Sequence, residues 1–393
     1  MTTSEYHIPY ARFFCAQYLV LRNHSHLLVS TVNETHLFQI NDQGGNTTFR
    51  HVECAPYNGL ITKKPTLAFS NFYKRQDGKY VDSSLIVQVV PNGAFLLEWD
   101  ATMGNYMERA TWKVENTALY NAKPLEIVAA SVNGSQVALA LSGGIRALLC
   151  IQNNAIEFRE LLRRCVVLLT SCFLFLIDSS VACWNSEPTE IAEISAISCV
   201  PLNPAKHASK FIIAAYWRSN IVEIFSLSET GLKSESKTLP LPAVVRSVLL
   251  FNFGNDVSSK GSDHHAFLIA GLGDGSVASM LWKDNELKDL VVVSLGHAPV
   301  SLSPFEVDGK RTVLAAGNRS TVFFYDPKKN RLSNSPIMLK VGTFVCFFFP
   351  SRQNLTKFKS GNFCWGSICD IFVWFLAHFG ITCRPVRRSS ETA

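Results

Sequence analysis

An all-β chain folded as a β-propeller is what this sequence predicts, and three observations predict it. A strand–turn–strand unit recurs six times between residues 26 and 326. Most of its strands are apolar at every position rather than at every second one, as expected of a sheet covered on both faces. The turns, marked by Asn33, Gly93, Gly143, Ser219, Asp274 and Asn318, fall 60, 50, 76, 55 and 44 residues apart, and blades of this kind run about 40–50 residues.

The copies are HLLVSTVNETHLFQIN (26–41), SLIVQVVPNGAFLLEWD (84–100), SQVALALSGGIRALLCIQN (135–153), KFIIAAYWRSNIVEIFSL (210–227), HAFLIAGLGDGSVASMLW (265–282) and RTVLAAGNRSTVFFYD (311–326). Each is too short to bury a core alone. Apolar runs of β-branched or aromatic residues flank a small polar turn. Asn92-Gly93 and Asp274-Gly275 carry the residues that type I′ turns favour, because Asn, Asp and Gly tolerate positive φ. The last three copies are preceded by further strand-like runs: EISAISCVPLN (193–203), VVRSVLLFNF (244–253) and APVSLSPFEVDG (298–309). Three to four strands per unit describe a WD40-like blade. A β-sandwich with irregular loops is the competing architecture.

Two segments break the pattern. RRCVVLLTSCFLFLIDSSVACW (163–184) lies in the 76-residue interval, and nothing after about Val341 repeats the unit. The expected organisation is therefore a propeller over 1–340 with an atypical insertion at 163–184, then an apolar and basic tail at 341–393. Seven of the 11 cysteines lie in these segments: Cys165, Cys172, Cys183, Cys346, Cys364, Cys369 and Cys383. Of the net charge of +6, the tail holds +4 and the insertion +1. Translated non-coding sequence is the expected origin of both; a membrane span or a buried helix is the alternative. Spanning is disfavoured, since Cys165–Ile177 is short of the roughly 20 residues required. Phe363–Ile381 is long enough, but it contains Asp370, which costs about 2.5–3.5 kcal/mol at mid-span.

Composition narrows the class. At 47% apolar and 17% charged, the chain reads as globular rather than disordered. MTTSEYHIPYARFF has no basic start followed by an apolar run, so no secretory signal is expected. Cys15, Cys54, Cys150 and Cys199 are scattered as reduced thiols would be. The basic excess lies in the two anomalous segments and is not a nucleic-acid footprint.

No catalytic, cofactor or metal residue is expected. Gly271-Leu-Gly273-Asp274-Gly275 lacks the G-x-G-x-x-G spacing and precedes a strand, so it reads as a hairpin. Asp263-His264-His265 ends a polar loop without further ligands at recognisable spacing, and Cys364, Cys369 and Cys383 sit among aromatic residues. Ser142 lacks the nucleophile-elbow frame. Arg384, Arg387 and Arg388 with Ser389 and Ser390 resemble a nuclear signal or a kinase site. Trp217, Trp282, Tyr216 and Phe225 read as blade packing, with a rim aromatic as a possible partner anchor.

From about Glu190 to Lys340 the order of motifs is distinctive. A Trp-bearing strand pair (IIAAYWRSNIVEIFSL) is followed by a Leu-Gly-Asp-Gly hairpin (LIAGLGDGSVASMLW). A Gly-x-x-Pro-Val-like step comes next, and then a strand ending in an Asn-Arg turn (VSLGHAPVSLSPFEVDGKRTVLAAGNRSTVFFYDPKKNRL). This stretch resembles the large triple-propeller family that includes the large subunit of the damaged-DNA-binding complex, the A subunit of the cleavage and polyadenylation specificity factor and the third subunit of splicing factor 3b.

The similarity is to the central propeller, of which about six of seven expected blades are present. The resemblance implies a non-catalytic scaffold in a nuclear complex: an adaptor in a cullin-RING ubiquitin ligase for DNA-damage repair, or else an RNA-processing scaffold. It implies a cullin scaffold or substrate receptor as partner, nucleic acid reached only through the complex, no cofactor and no membrane. Partner-binding residues are not assigned, because no short docking motif is recognisable. A membrane-anchored propeller and a propeller hydrolase are the readings from other classes.

Overall fold

The computed structural model describes residues 13–337, except 22–23, 32–33, 44–45, 53–58, 77–78, 82–84, 115–124, 143–145, 152–157, 164–192, 204–205, 229–230, 255–265, 308–309 and 330. The insertion after Arg163, the tail 341–393, the Asp263-His264-His265 cluster, the tail cysteines and the Arg384–Ser390 stretch lie outside the described residues. Arg163 itself ends a strand, opposite Ala147.

Six four-stranded antiparallel sheets follow one another along the chain. Sheet one is β1 (Phe13–Leu21), β2 (His24–Thr31), β3 (Thr35–Gln43) and β4 (Asn46–Val52). Sheet two is β5 (Ala68–Asn71), β8 (Leu85–Val90), β9 (Gly93–Asp100) and β10 (Asn105–Lys113), with a small ribbon of β6 (Lys74–Gln76) and β7 (Lys79–Val81) inserted after β5. Sheet three is β11 (Ile127–Val132), β12 (Gln136–Leu141), β13 (Arg146–Ile151) and β14 (Phe158–Arg163). Sheet four is β15 (Ile194–Ser198), β16 (Phe211–Tyr216), β17 (Val222–Ser228) and β18 (Gly231–Lys237). Sheet five is β19 (Val245–Asn252), β20 (Ala266–Leu272), β21 (Ser276–Lys283) and β22 (Glu286–Ser294). Sheet six is β23 (Ser301–Val307), β24 (Lys310–Ala316), β25 (Thr321–Asp326) and β26 (Arg331–Pro336).

The first strands of successive sheets touch in the order β1, β5, β11, β15, β19, β23, the arrangement of blades around a propeller axis. Among the described residues no helix is long and apolar enough to cross a membrane.

Each repeat read from the sequence is the central pair of strands in one sheet. Their continuous apolar character follows from alternation in a two-sided environment. In β12, Val137, Leu139 and Leu141 pack toward sheet two, while Ala138 and Ala140 pack toward sheet four. In β20, Leu268, Ala270 and Leu272 face sheet four, whereas Phe267 and Ile269 face sheet six. Every seam between neighbouring sheets thus has its own apolar cluster. The outer faces of the terminal sheets are also buried, at Leu27, Val29 and Phe38 in sheet one and at Leu314 and Ala316 in sheet six.

Neither glycine-containing turn is type I′. The loop joining β8 to β9 consists of Pro91 and Asn92, and proline locks φ near −65°, which a type I′ turn excludes at its first central position. Gly93 serves close approach instead, because a Cβ there would meet the Trp112 carbonyl oxygen at 2.5 Å. At Gly273-Asp274-Gly275 only Gly275 has positive φ (89°), the geometry of a three-residue loop closing on a left-handed glycine. The type I′ pair is Asp284-Asn285, with φ of 54° and 60° between the partners Lys283 and Glu286.

Polar side chains stitch the seams. Between sheets one and two, Gln88 of β8 is fully buried. Its Nε2 donates to Ile61 O (2.7 Å) and Thr66 Oγ1 (2.9 Å), and its Oε1 accepts from Ile61 N (2.9 Å). Between sheets three and four, Gln136 Oε1 accepts from Ser209 N (2.8 Å) and Asn133 Nδ2 (2.8 Å), and Asn133 Nδ2 also donates to Cys199 O (2.7 Å). Across sheets four to six, Arg311 lies 4.3 Å over the Phe251 ring and donates to Leu202 O and Asn252 O.

Burial pushes the Cys199 thiol from an ordinary value near 9.0 up to about 11. The unfolded chain therefore releases this proton near pH 9 while the folded protein holds it. The stabilisation is complete below pH 9 and is lost as pH rises toward 11, by on the order of 2 kcal/mol. Denaturant midpoints of wild type and Cys199→Ala, compared at pH 8 and above pH 10, should converge at the higher pH; parallel pH profiles would refute the linkage.

Candidate protein-docking face

Antiparallel order places two kinds of connection at one end of every sheet: the turn between the second and third strands, and the crossing from the fourth strand to the next sheet. At sheets four to six this end combines residues 217–221, 238–244, 273–275, 295–300 and 317–320. These connections are pinned to one another. Leu241 N donates to Asn220 O (3.0 Å), Gly273 N to Val244 O (2.8 Å) and Arg319 N to Leu295 O (3.0 Å). Asn318 Oδ1 accepts from His297 N (2.8 Å) and Ala298 N. The Leu-Gly-Asp-Gly hairpin, the Gly-x-x-Pro-Val-like step and the Asn-Arg turn, separate motifs in the sequence, meet here.

On this frame sits the exposed indole of Trp217, 40% accessible. It leaves the sheet because the turn Trp217-Arg218-Ser219 ends in left-handed Asn220 (φ 52°). The Arg246 guanidinium, at the start of β19, lies 4.9 Å over its ring, a cation–π contact that holds both groups in place. Arg218 and Arg319 are exposed on the same end. None of these three arginines has a carboxylate partner among the described residues. Asp274 accepts from Ser276 N (2.9 Å) and Ser276 Oγ (2.6 Å), within its own turn. Three arginines face the carboxylates of Asp274 and of exposed Glu193, whose carbonyl accepts the Trp217 N–H (3.0 Å), so the end carries a positive excess beside an exposed aromatic ring.

The four aromatic residues singled out in the sequence part ways. Trp282 is buried against Phe211 across the seam of sheets four and five (ring centroids 6.1 Å). Phe225 is buried toward sheet three. Tyr216 is buried and donates to Glu223 Oε2 (2.7 Å); Glu223 Oε1 accepts from Ser234 Oγ (2.6 Å) and pairs with Lys237 (3.1 Å). Trp217 alone faces outward. Sequence reasoning missed Arg246 and the Leu239-Pro240 tip. The available signal was the Thr-Leu-Pro-Leu-Pro run at 238–242, which cannot continue a strand ladder.

The remaining sequence candidates do not gather. Ser142 Oγ accepts the Glu126 N–H (3.1 Å). Gly271 lies in β20, where a Cβ would meet the Val300 carbonyl oxygen at 2.5 Å, so the glycine-rich stretch packs backbone against backbone. A cleft of about 640 Å³ lies between sheets one and two, beside Arg50, His51 and Trp99, away from all of these residues.

Comparison with known proteins agrees with this architecture. Residues 17–352 match the family model of the RSE1/DDB1/CPSF1 second beta-propeller. DNA damage-binding protein 1 of Oryza sativa subsp. japonica is 33% identical over 182 residues, covering 44% of this chain and 16% of that protein. DNA damage-binding protein 1a of Arabidopsis thaliana is 32% identical over 184 residues, with the same coverage. DNA damage-binding protein 1 of Solanum lycopersicum is 30% identical over 184 residues. The matched region spans 16% of the length of these curated relatives. With a family match over most of its length and six blades built on the same motifs, the chain belongs to the RSE1/DDB1/CPSF1 second beta-propeller family.

Proposed function

We propose that this scaffold propeller works without catalysis, as an adaptor in a nuclear complex that brings a cullin-RING ubiquitin ligase to its targets in DNA-damage repair. The observation that carries the reading is the Trp217–Arg246 stack, exposed on a rigid end of the blades beside Arg218 and Arg319. Aromatic and arginine side chains are the residue types that dominate binding energy at interfaces. Loops held on a stiff scaffold are where binding residues concentrate. In this reading the cullin scaffold docks on the turn ends of sheets four to six, and nucleic acid is engaged only through other members of the complex. The propeller occupies 1–340 and the segment 341–393 stands outside it.

Calorimetric titration of the chain with a purified cullin scaffold tests the proposal. Trp217→Ala and Arg246→Glu should each weaken binding at least tenfold, about 1.4 kcal/mol, without moving the melting temperature. Binding unaffected by both substitutions, or no binding by the wild type, would remove the basis of this assignment.

A further inference from the structure

We propose that the Leu239-Pro240 tip is a preformed anchor that inserts into an apolar socket on an acidic partner surface, and so sets which partner this propeller accepts. The inference rests on the docking reading above and adds to it a residue and a partner chemistry.

Leu239 is 81% exposed. A lone exposed leucine on a soluble protein needs no explanation, but this one is not alone. Pro240 and Pro242 are exposed beside it, and the Leu241–Asn220 hydrogen bond lays the segment along the turn that carries Trp217.

The tip is also held rigid. On its N-terminal side, Thr238 is buried, donates through its backbone to Val222 O (2.9 Å) and accepts through Oγ1 from Val222 N (3.0 Å). On its C-terminal side, the Leu241 side chain is buried in the seam between sheets four and five. Both Leu239 and Leu241 precede proline, which biases them to extended backbone, and proline restricts the residue that follows each. A side chain fixed in this way loses little conformational freedom on binding, so more of its burial appears as affinity.

The charge around the tip names the other half of the contact. Arg218, Arg246 and Arg319 have no carboxylate partner among the described residues, and they outnumber the carboxylates at this end, Asp274 and Glu193. An apolar knob on an end where arginines outnumber carboxylates is complementary to an apolar socket rimmed by carboxylates. The rim would speed encounter and make it salt-dependent, and the socket would slow release.

The same titration with a purified cullin scaffold separates this inference from the reading beneath it. Leu239→Ala should weaken binding tenfold or more and Leu239→Asp further. Leu239→Met, which keeps an apolar side chain, should bind close to wild type. Added salt should weaken wild type and Leu239→Ala by similar factors, because the arginines remain. Melting temperatures should not move, since the side chain touches little of its own fold. If Leu239→Ala and Leu239→Asp bind like wild type while Arg246→Glu does not, the anchor is refuted and the docking face survives. If wild type does not bind, the docking reading falls and the anchor with it. Self-association of the wild type that Leu239→Asp abolishes would assign the tip to a second copy of this chain and overturn the proposed partner.

Discussion

Gly275→Ala is expected to cost the fold about 2–5 kcal/mol, the sum of left-handed backbone strain and overpacking. Gly275 has φ of 89°, and a Cβ there would lie 2.5 Å from the Gly296 carbonyl carbon and 2.7 Å from His297 N. That backbone cannot retreat. Gly296 is itself at φ 134°, close against the Asn318 side chain, and Asn318 holds the next two backbone amides. The strain therefore passes into the joint between sheets five and six. Gly275→Asn is the discriminating companion: asparagine tolerates left-handed φ but brings the same Cβ, so it should recover only a minor part of the loss. Urea unfolding with an unchanged slope would report both effects as midpoint shifts. A midpoint within error of wild type for Gly275→Ala would mean that the joint yields, and the packing argument would be wrong.

Gln88→Ala should be comparably damaging for a different reason. Three groups, the half-buried Ile61 N–H and C=O and the buried Thr66 Oγ1, lose their Gln88 partner at once. Leaving a buried polar group unsatisfied costs about 1–3 kcal/mol, and the void left by the side chain adds to it. Thr66 Oγ1 keeps Thr35 as a partner (2.8 Å) and the Ile61 groups are only half-buried, so the expected total is about 2–4 kcal/mol rather than three full penalties. Ile61 N–H would also be freed, so its amide should exchange with solvent far faster in the variant. Retained protection at Ile61 with a wild-type unfolding midpoint would show that the crossing between sheets one and two does not depend on this amide.

What was legible in the sequence was the middle of each blade. The inner pairs β2–β3, β8–β9, β12–β13, β16–β17, β20–β21 and β24–β25 coincide with the six repeats, and the apolar runs of β8, β12 and β20 are buried at every position, as strands covered on both faces are. The outer strands were not legible. β18 (GLKSESK) and β26 (RLSNSP) are polar and exposed at only half of their described positions, with no fully buried residue, so their strand character comes from pairing with the neighbour rather than from any pattern of their own. The short inner strand β5 (AFSN) offers too few residues for periodicity. Turn type failed where composition was read without its neighbours: Asn92-Gly93 looked like a type I′ pair until Pro91 entered the loop. The docking end was half legible. Trp217 stood out by residue type, but its exposure depends on the turn at Asn220. Arg246 became part of the site only when β19 was brought beside the turn at 217–220.

Arg311 has a consequence of its own. A guanidinium stays protonated at any pH a protein survives, and this one sits on an aromatic ring with backbone carbonyls from two other sheets as acceptors. The clasp linking the last three blades therefore has no proton to lose, whereas the seam holding Cys199 does. Alkali therefore reaches the two halves of the molecule unequally: one joint has a chemical release and the other does not.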